Sequence, residues 1–143
     1  MVMKLNEMHA TEEKKETIMA VTQLTQQNID ETITNNEIVV IDFWAPWCGP
    51  CQTFKPIFEQ SSEKHEDAVF VSCNTEEQTE LAAMFQIQSI PTLVVFRDGI
   101  GIFSQPGMLP GEALDELMDK VRELDMDVVR AEVEKQQAAA VQA

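Results

Sequence analysis

Four consecutive β-branched residues, Ile38-Val39-Val40-Ile41, constrain this chain more than any other feature. A strand with one wet face alternates apolar and polar side chains, whereas an unbroken apolar run must be covered on both faces. The chain therefore has to build a sheet with helices on either side. The run continues through Asp42-Phe43-Trp44 and leads into Trp47-Cys48-Gly49-Pro50-Cys51. There a predicted strand gives way to a predicted helix, with two cysteines at the junction.

The flanking segments supply the other layers. Ala20 to Leu24 alternates weakly and reads as an edge strand. Thr25 offers an N-cap for a short helix over Gln27 to Thr34, and Asn35-Asn36 ends it. After the cysteines, Phe54, Ile57 and Phe58 fall at helical spacing, with a kink expected at Pro56. Glu63 to Asp67 reads as a charged connection to a core strand over Val69 to Cys73. Thr75-x-x-Gln78 predicts a capping box opening a helix through Phe85. Leu93 to Arg97 and Ile100 to Ser104 are strands joined by the hairpin signal Asp98-Gly99, with Gly107 ending the second. Leu114, Leu117, Met118 and Val121 trace an amphipathic helix from Glu112. The order is β-α-β-α-β-α-β-β-α, an α/β fold with a mixed sheet, since the hairpin must be antiparallel.

With 143 residues, the chain suits one domain over 20–124. Residues 1–19 are polar and read as a mobile N-terminal extension; 125–143 read as a helical C-terminal tail. A net charge of −15 argues against nucleic-acid binding, which needs clustered cations. No apolar run is long enough to span a membrane, and Met1 to Ala20 holds no apolar core of a signal peptide. Three cysteines are too few for a disulfide-stapled scaffold. A monomer in the reducing cytoplasm is the expectation.

A thiolate, not a thiol, attacks a disulfide, so a redox cysteine needs something that stabilises negative charge. A helix N-terminus provides it through unpaired N–H groups and the positive end of the dipole. Cys48 just before the helix should be exposed and activated; Cys51, one turn in, should be shielded and placed to attack a mixed disulfide at Cys48. Pro50 suits the first helical turn, and Gly49 leaves room for a substrate chain. The competing reading is half a zinc site, but Cys73, His9 and His65 form no second ligand pair, so no metal is expected. Asp42 within an apolar run is either a tolerated polar residue at a strand end or a carboxyl of raised pKa suited to proton transfer. The second reading is favoured. Cys73 reads as a small buried hydrophobe rather than a regulatory thiol.

The segment Asp42 to Cys51 resembles the active site of the thioredoxin family. Ile90-Pro91-Thr92 resembles its cis-proline loop, Pro56 its kinking proline, and Phe96-Arg97-Asp98-Gly99 its later hairpin. The resemblance covers about Ala20 to Leu124. It implies the thioredoxin fold and a protein-disulfide reductase without a bound cofactor, recharged by a flavoprotein thioredoxin reductase and acting on disulfide-containing client proteins. It implies Cys48 as nucleophile, Cys51 as resolving thiol and Asp42 as the buried acid beneath it. Trp47, Gly49, Pro50, Ile90, Pro91, Gly107 and Met108 would form the docking surface, with Trp44 shared between core and site. An oxidase or isomerase, or a redox-assisted chaperone that holds clients, are the alternatives. Two positions depart from the family pattern: Ser72 stands where a lysine is common near the buried acid, and Gln52 where a basic residue often follows the second cysteine. Both remove positive charge, so the Asp42 pKa should rise further.

Overall fold

The computed structural model describes residues 20–142; the expected N-terminal extension lies outside them. The elements are β1 (Thr22–Gln23), α1 (Ile29–Asn35), β2 (Ile38–Trp44), α2 (Gly49–Lys64), β3 (Val69–Asn74), α3 (Thr79–Met84), β4 (Thr92–Arg97), β5 (Ile100–Pro106), α4 (Gly111–Glu123) and α5 (Met126–Gln142). The sheet has the order β1-β3-β2-β4-β5. β1, β3 and β2 run parallel, whereas β4 and β5 are antiparallel to their neighbours.

β2 lies at the centre, which is why its apolar run is unbroken: Ile38 to Phe43 are all buried. Alternate side chains feed two separate cores. Ile38 and Val40 join Phe54 and Phe58 of α2, Phe70, Leu93, Val95, and Leu114, Met118 and Val121 of α4. Val39, Ile41 and Phe43 join Leu24, Ile29, Val71, Cys73, Leu81 and Val94 on the opposite face. By the same alternation Asp42 belongs to the α2 face, toward the active-site helix.

Several local expectations are corrected. The Thr75–Gln78 capping box does not form, because each side chain finds a partner in another segment. The Thr75 hydroxyl donates to the Trp44 carbonyl at 3.0 Å, and Gln78 Oε1 accepts from the Gln26 amide. α3 instead starts at Thr79, with no side-chain cap on Gln78. Thr25 and Asn28 exchange side-chain-to-backbone bonds at 2.8 and 3.3 Å, and α1 begins only at Ile29. α2 extends through Glu63 and Lys64 and carries Pro56 inside it. β5 reaches Pro106, where Gly107 turns the chain at φ +92°, a region open to glycine. α5 starts at Met126 rather than Asp127, with Asp125 Oδ1 accepting from the Asp127 and Val128 amides.

Candidate active site

The C-terminal end of β2 delivers the chain to the N-terminus of α2. Cys48 is the N-cap, in extended backbone, and Gly49 and Pro50 open the helix. Pro50 has no N–H, so the next available donor is the Cys51 amide, which donates to Cys48 Sγ at 3.2 Å. The sulfur thus occupies the place that a capping oxygen takes in an ordinary helix, facing unpaired donors and the positive helix end. The sulfurs of Cys48 and Cys51 stand at disulfide distance, with Cα atoms 5.2 Å apart.

Cys51 is buried, as its place inside the first turn requires, but Cys48 is also only 5% exposed. The expectation of an exposed Cys48 is corrected: in the paired state its sulfur is tucked against the Ile90 carbonyl, 3.8 Å away. Exposure falls instead on Trp47, at 69%. The Trp47 indole N–H donates to Glu76, which the sequence reading did not single out. Glu76 follows β3 and comes near Trp47 only because β2 and β3 are parallel neighbours, so linear spacing carried no sign of it.

A second loop closes the site. The Ile90–Pro91 bond is cis, and the Gly107 amide donates to the Pro91 carbonyl at 2.8 Å. Thr92 pairs with Pro106 in the β4–β5 ladder, so the chain on either side of that pair brings Pro91 and Gly107 together. Met108 follows, 44% exposed. A Cβ on Gly49 would meet nothing within 4 Å, so the space beside Gly49 is open.

Beneath the pair, a cavity of about 340 Å³ is lined by Asp42, Trp44, Cys51, Lys55, Glu59 and Ser72, among others. Asp42 is 4% exposed, its Oδ1 has no hydrogen-bond partner among the described residues, and burial pushes its carboxyl up to about 7. Ser72 is paired with Asp42 in the β2–β3 register, so a neutral side chain stands beside this acid on the neighbouring strand. Gln52, the other departure, donates to the Pro46 carbonyl at 3.3 Å. Trp44 is half-buried with an unpartnered indole N–H and lines the cavity. Lys55 was not singled out by the sequence; its one signal is a position four residues after Cys51.

A family model described as Thioredoxin matches residues 20–122. The chain belongs to the thioredoxin family. It is 51% identical over 118 residues to a Streptomyces coelicolor protein provisionally named thioredoxin 2, covering 82% of this chain and 88% of that one. A solved mutant thioredoxin from Halobacterium salinarum is 33% identical, with a TM-score of 0.68 over 73% of this chain and 91% of its own. A third relative comes from a yeast structure concerned with how a mitochondrial 1-Cys peroxiredoxin is resolved via glutathione/thioredoxin systems. It is 29% identical, with a TM-score of 0.65, covering 75% and 98%. The chain is a thiol–disulfide oxidoreductase of this family, with its Cys48 and Cys51 sulfurs at disulfide distance. Cys73 stands apart, fully buried on the opposite face of the sheet, its thiol pushed up to about 11 by burial.

Proposed function

We propose that this thioredoxin reduces disulfides in client proteins, with Cys48 attacking, Cys51 resolving and Asp42 exchanging the proton. The observation that carries the reading is the Cys51 amide aimed at Cys48 Sγ from the first turn of α2. In the dithiol form that donor and the helix end favour a thiolate at Cys48. The Cys48 thiolate attacks one client sulfur and the client disulfide breaks, releasing the other client sulfur as a thiolate. Cys51 then gives its proton to the Asp42 carboxylate, and the Cys51 thiolate attacks Cys48 Sγ. The mixed disulfide breaks, Cys48–Cys51 forms and the client leaves as its second thiolate. Two electrons pass to the client, and the protein dithiol becomes a disulfide.

Trp47, Gly49, Pro50, Ile90, Pro91, Gly107 and Met108 form the rim on which the client backbone docks. A flavoprotein thioredoxin reductase returns the disulfide to the dithiol, completing electron transport to the client. The working unit is a cytoplasmic monomer, with domain 20–124 flanked by extensions 1–19 and 125–143. No helix among the described residues is long and apolar enough to cross a membrane.

The order of the thiols is tested by trapping. In Cys51→Ser, a disulfide-containing client should remain covalently attached through Cys48, and insulin reduction should stop. In Cys48→Ser no adduct should form at neutral pH. Equal trapping by the two variants would overturn the assignment of nucleophile and resolving thiol.

A further inference from the structure

The rim around the cysteines carries a charge pattern that the thiol exchange itself does not use. No lysine or arginine occurs in 20–54, 65–96 or 98–119. Every residue of the proposed rim, from Trp47 and Pro50 through Ile90 and Pro91 to Met108, comes from those stretches. Gln52, which follows the second cysteine, is neutral and donates to the Pro46 carbonyl, while Lys55 lines the cavity beneath the pair. One acid does reach the rim. The Glu76 amide donates to Asn74 Oδ1 at 2.9 Å where β3 ends, and Glu76 Oε1 accepts from the Trp47 indole N–H. That bond fixes a carboxylate against the side chain that stands 69% exposed next to Cys48. Glu76 is exposed as well, so its negative charge faces the solvent from which a client arrives.

We propose that Glu76 is a specificity-determining residue for the client, its carboxylate beside Trp47 favouring disulfides flanked by lysine or arginine over disulfides flanked by acids. The inference rests on the reading of the rim as the docking surface for clients. A client chain that crosses Trp47 to reach Cys48 passes within reach of the carboxylate, and a long cationic side chain pairs with it while its stem lies on the indole. The exposed ring attracts the same cation through its face, so ring and carboxylate act on one group. A client's own acid finds no lysine or arginine in the stretches that build the rim and meets the negative charge alone. The thiol chemistry is unchanged: Cys48 still attacks the client sulfur, and the charge acts on the encounter that precedes it.

The test mixes the reduced full chain, freed of reductant, with two synthetic peptides that differ only in whether lysines or glutamates flank an internal disulfide. Reactions are stopped with acid at set times, and the reduced peptide is separated and measured. Glutamine keeps an oxygen for the indole N–H but carries no charge, so Glu76→Gln separates selectivity from support of Trp47. The ratio of lysine-peptide to glutamate-peptide rates should fall by roughly 2- to 5-fold in Glu76→Gln, the range of one exposed ion pair, and further in Glu76→Lys. Comparing variants on the same two peptides cancels the peptides' own reactivities. Raising the salt from about 0.02 M to about 0.5 M should shrink the difference between wild type and Glu76→Gln. If the ratio is the same in both proteins at low salt, even where both peptides slow together, Glu76 only supports the indole and the inference is overturned. If the wild-type chain reduces neither peptide, the reductase reading fails and the inference fails with it.

Discussion

Replacing the buried acid, Asp42→Asn, should change stability in a way that depends on pH and has a sign fixed by burial. Desolvation raises the Asp42 carboxyl from 3.8 to about 7 in the folded protein. Below about pH 3.8 both folded and unfolded states hold the proton, and the group contributes nothing. Between pH 4 and 7 the unfolded chain loses the proton while the folded chain keeps it, so stability falls as pH rises. Each unit of that interval is worth about 1.4 kcal/mol, and about three units give roughly 4 kcal/mol. Above pH 7 both states are ionised and the penalty is constant. Asparagine keeps the shape but does not titrate, so the stability of the variant relative to wild type should rise by roughly 4 kcal/mol between pH 4 and pH 8. Any offset from unmet amide hydrogen bonds, about 1–3 kcal/mol, is the same at every pH and drops out of that difference. Other titrating pairs, such as Asp115 with His65, are common to both proteins and cancel. The assay is urea unfolding of the oxidised forms at several pH values, with coincident circular dichroism and fluorescence transitions. Stability curves that run parallel across this range would refute the reasoning.

Two further outcomes follow from burial and helix capping. In a Cys48→Ser/Cys51→Ser background, Cys73 should react with a thiol reagent at least ~1000-fold more slowly than in urea, since labelling requires the core to open. Modification at the rate of a free surface thiol would contradict its position in the core. Arg97→Met should lower stability by about 1–3 kcal/mol, because Arg97 Nη1 donates to the carbonyls of Val121, Arg122 and Leu124 at the end of α4, at 2.6, 3.1 and 3.1 Å. Insulin reduction should stay unchanged, as Arg97 ends β4 at the side opposite Pro91; urea unfolding beside the reduction assay separates the two, and a loss under about 0.5 kcal/mol would mean that water replaces the guanidinium.

Features that depend on local spacing were legible in the sequence. An unbroken β-branched run demands burial on both faces, and Ile38 to Ile41 became the central strand for that reason. Two cysteines at a strand-to-helix junction carry their own chemistry, since the second lies one turn into the helix wherever that helix packs. The element order and the Asp98-Gly99 hairpin followed from the same kind of local rule. Where local rules erred, a partner from another segment had intervened: Thr75 left its capping box for the Trp44 carbonyl, and Gln78 left it for Gln26.

Tertiary structure decided how the redox centre is surrounded. Strand order alone sets Ser72 beside Asp42, and the resemblance, not spacing, had pointed to that neighbour. Glu76 beneath the Trp47 indole and Gly107 against Pro91 join residues 29 and 16 positions apart, contacts no periodicity encodes. Exposure was decided there too: Cys48 is covered while Trp47 stands out, because the Ile90 loop folds back over the sulfur. The sequence by itself determined that two cysteines meet at the head of a helix; the fold determined which acid and which loop they meet there. The physical reason is range: helix capping and strand burial act over a few residues, whereas desolvation and charge proximity depend on whatever the folded chain brings alongside.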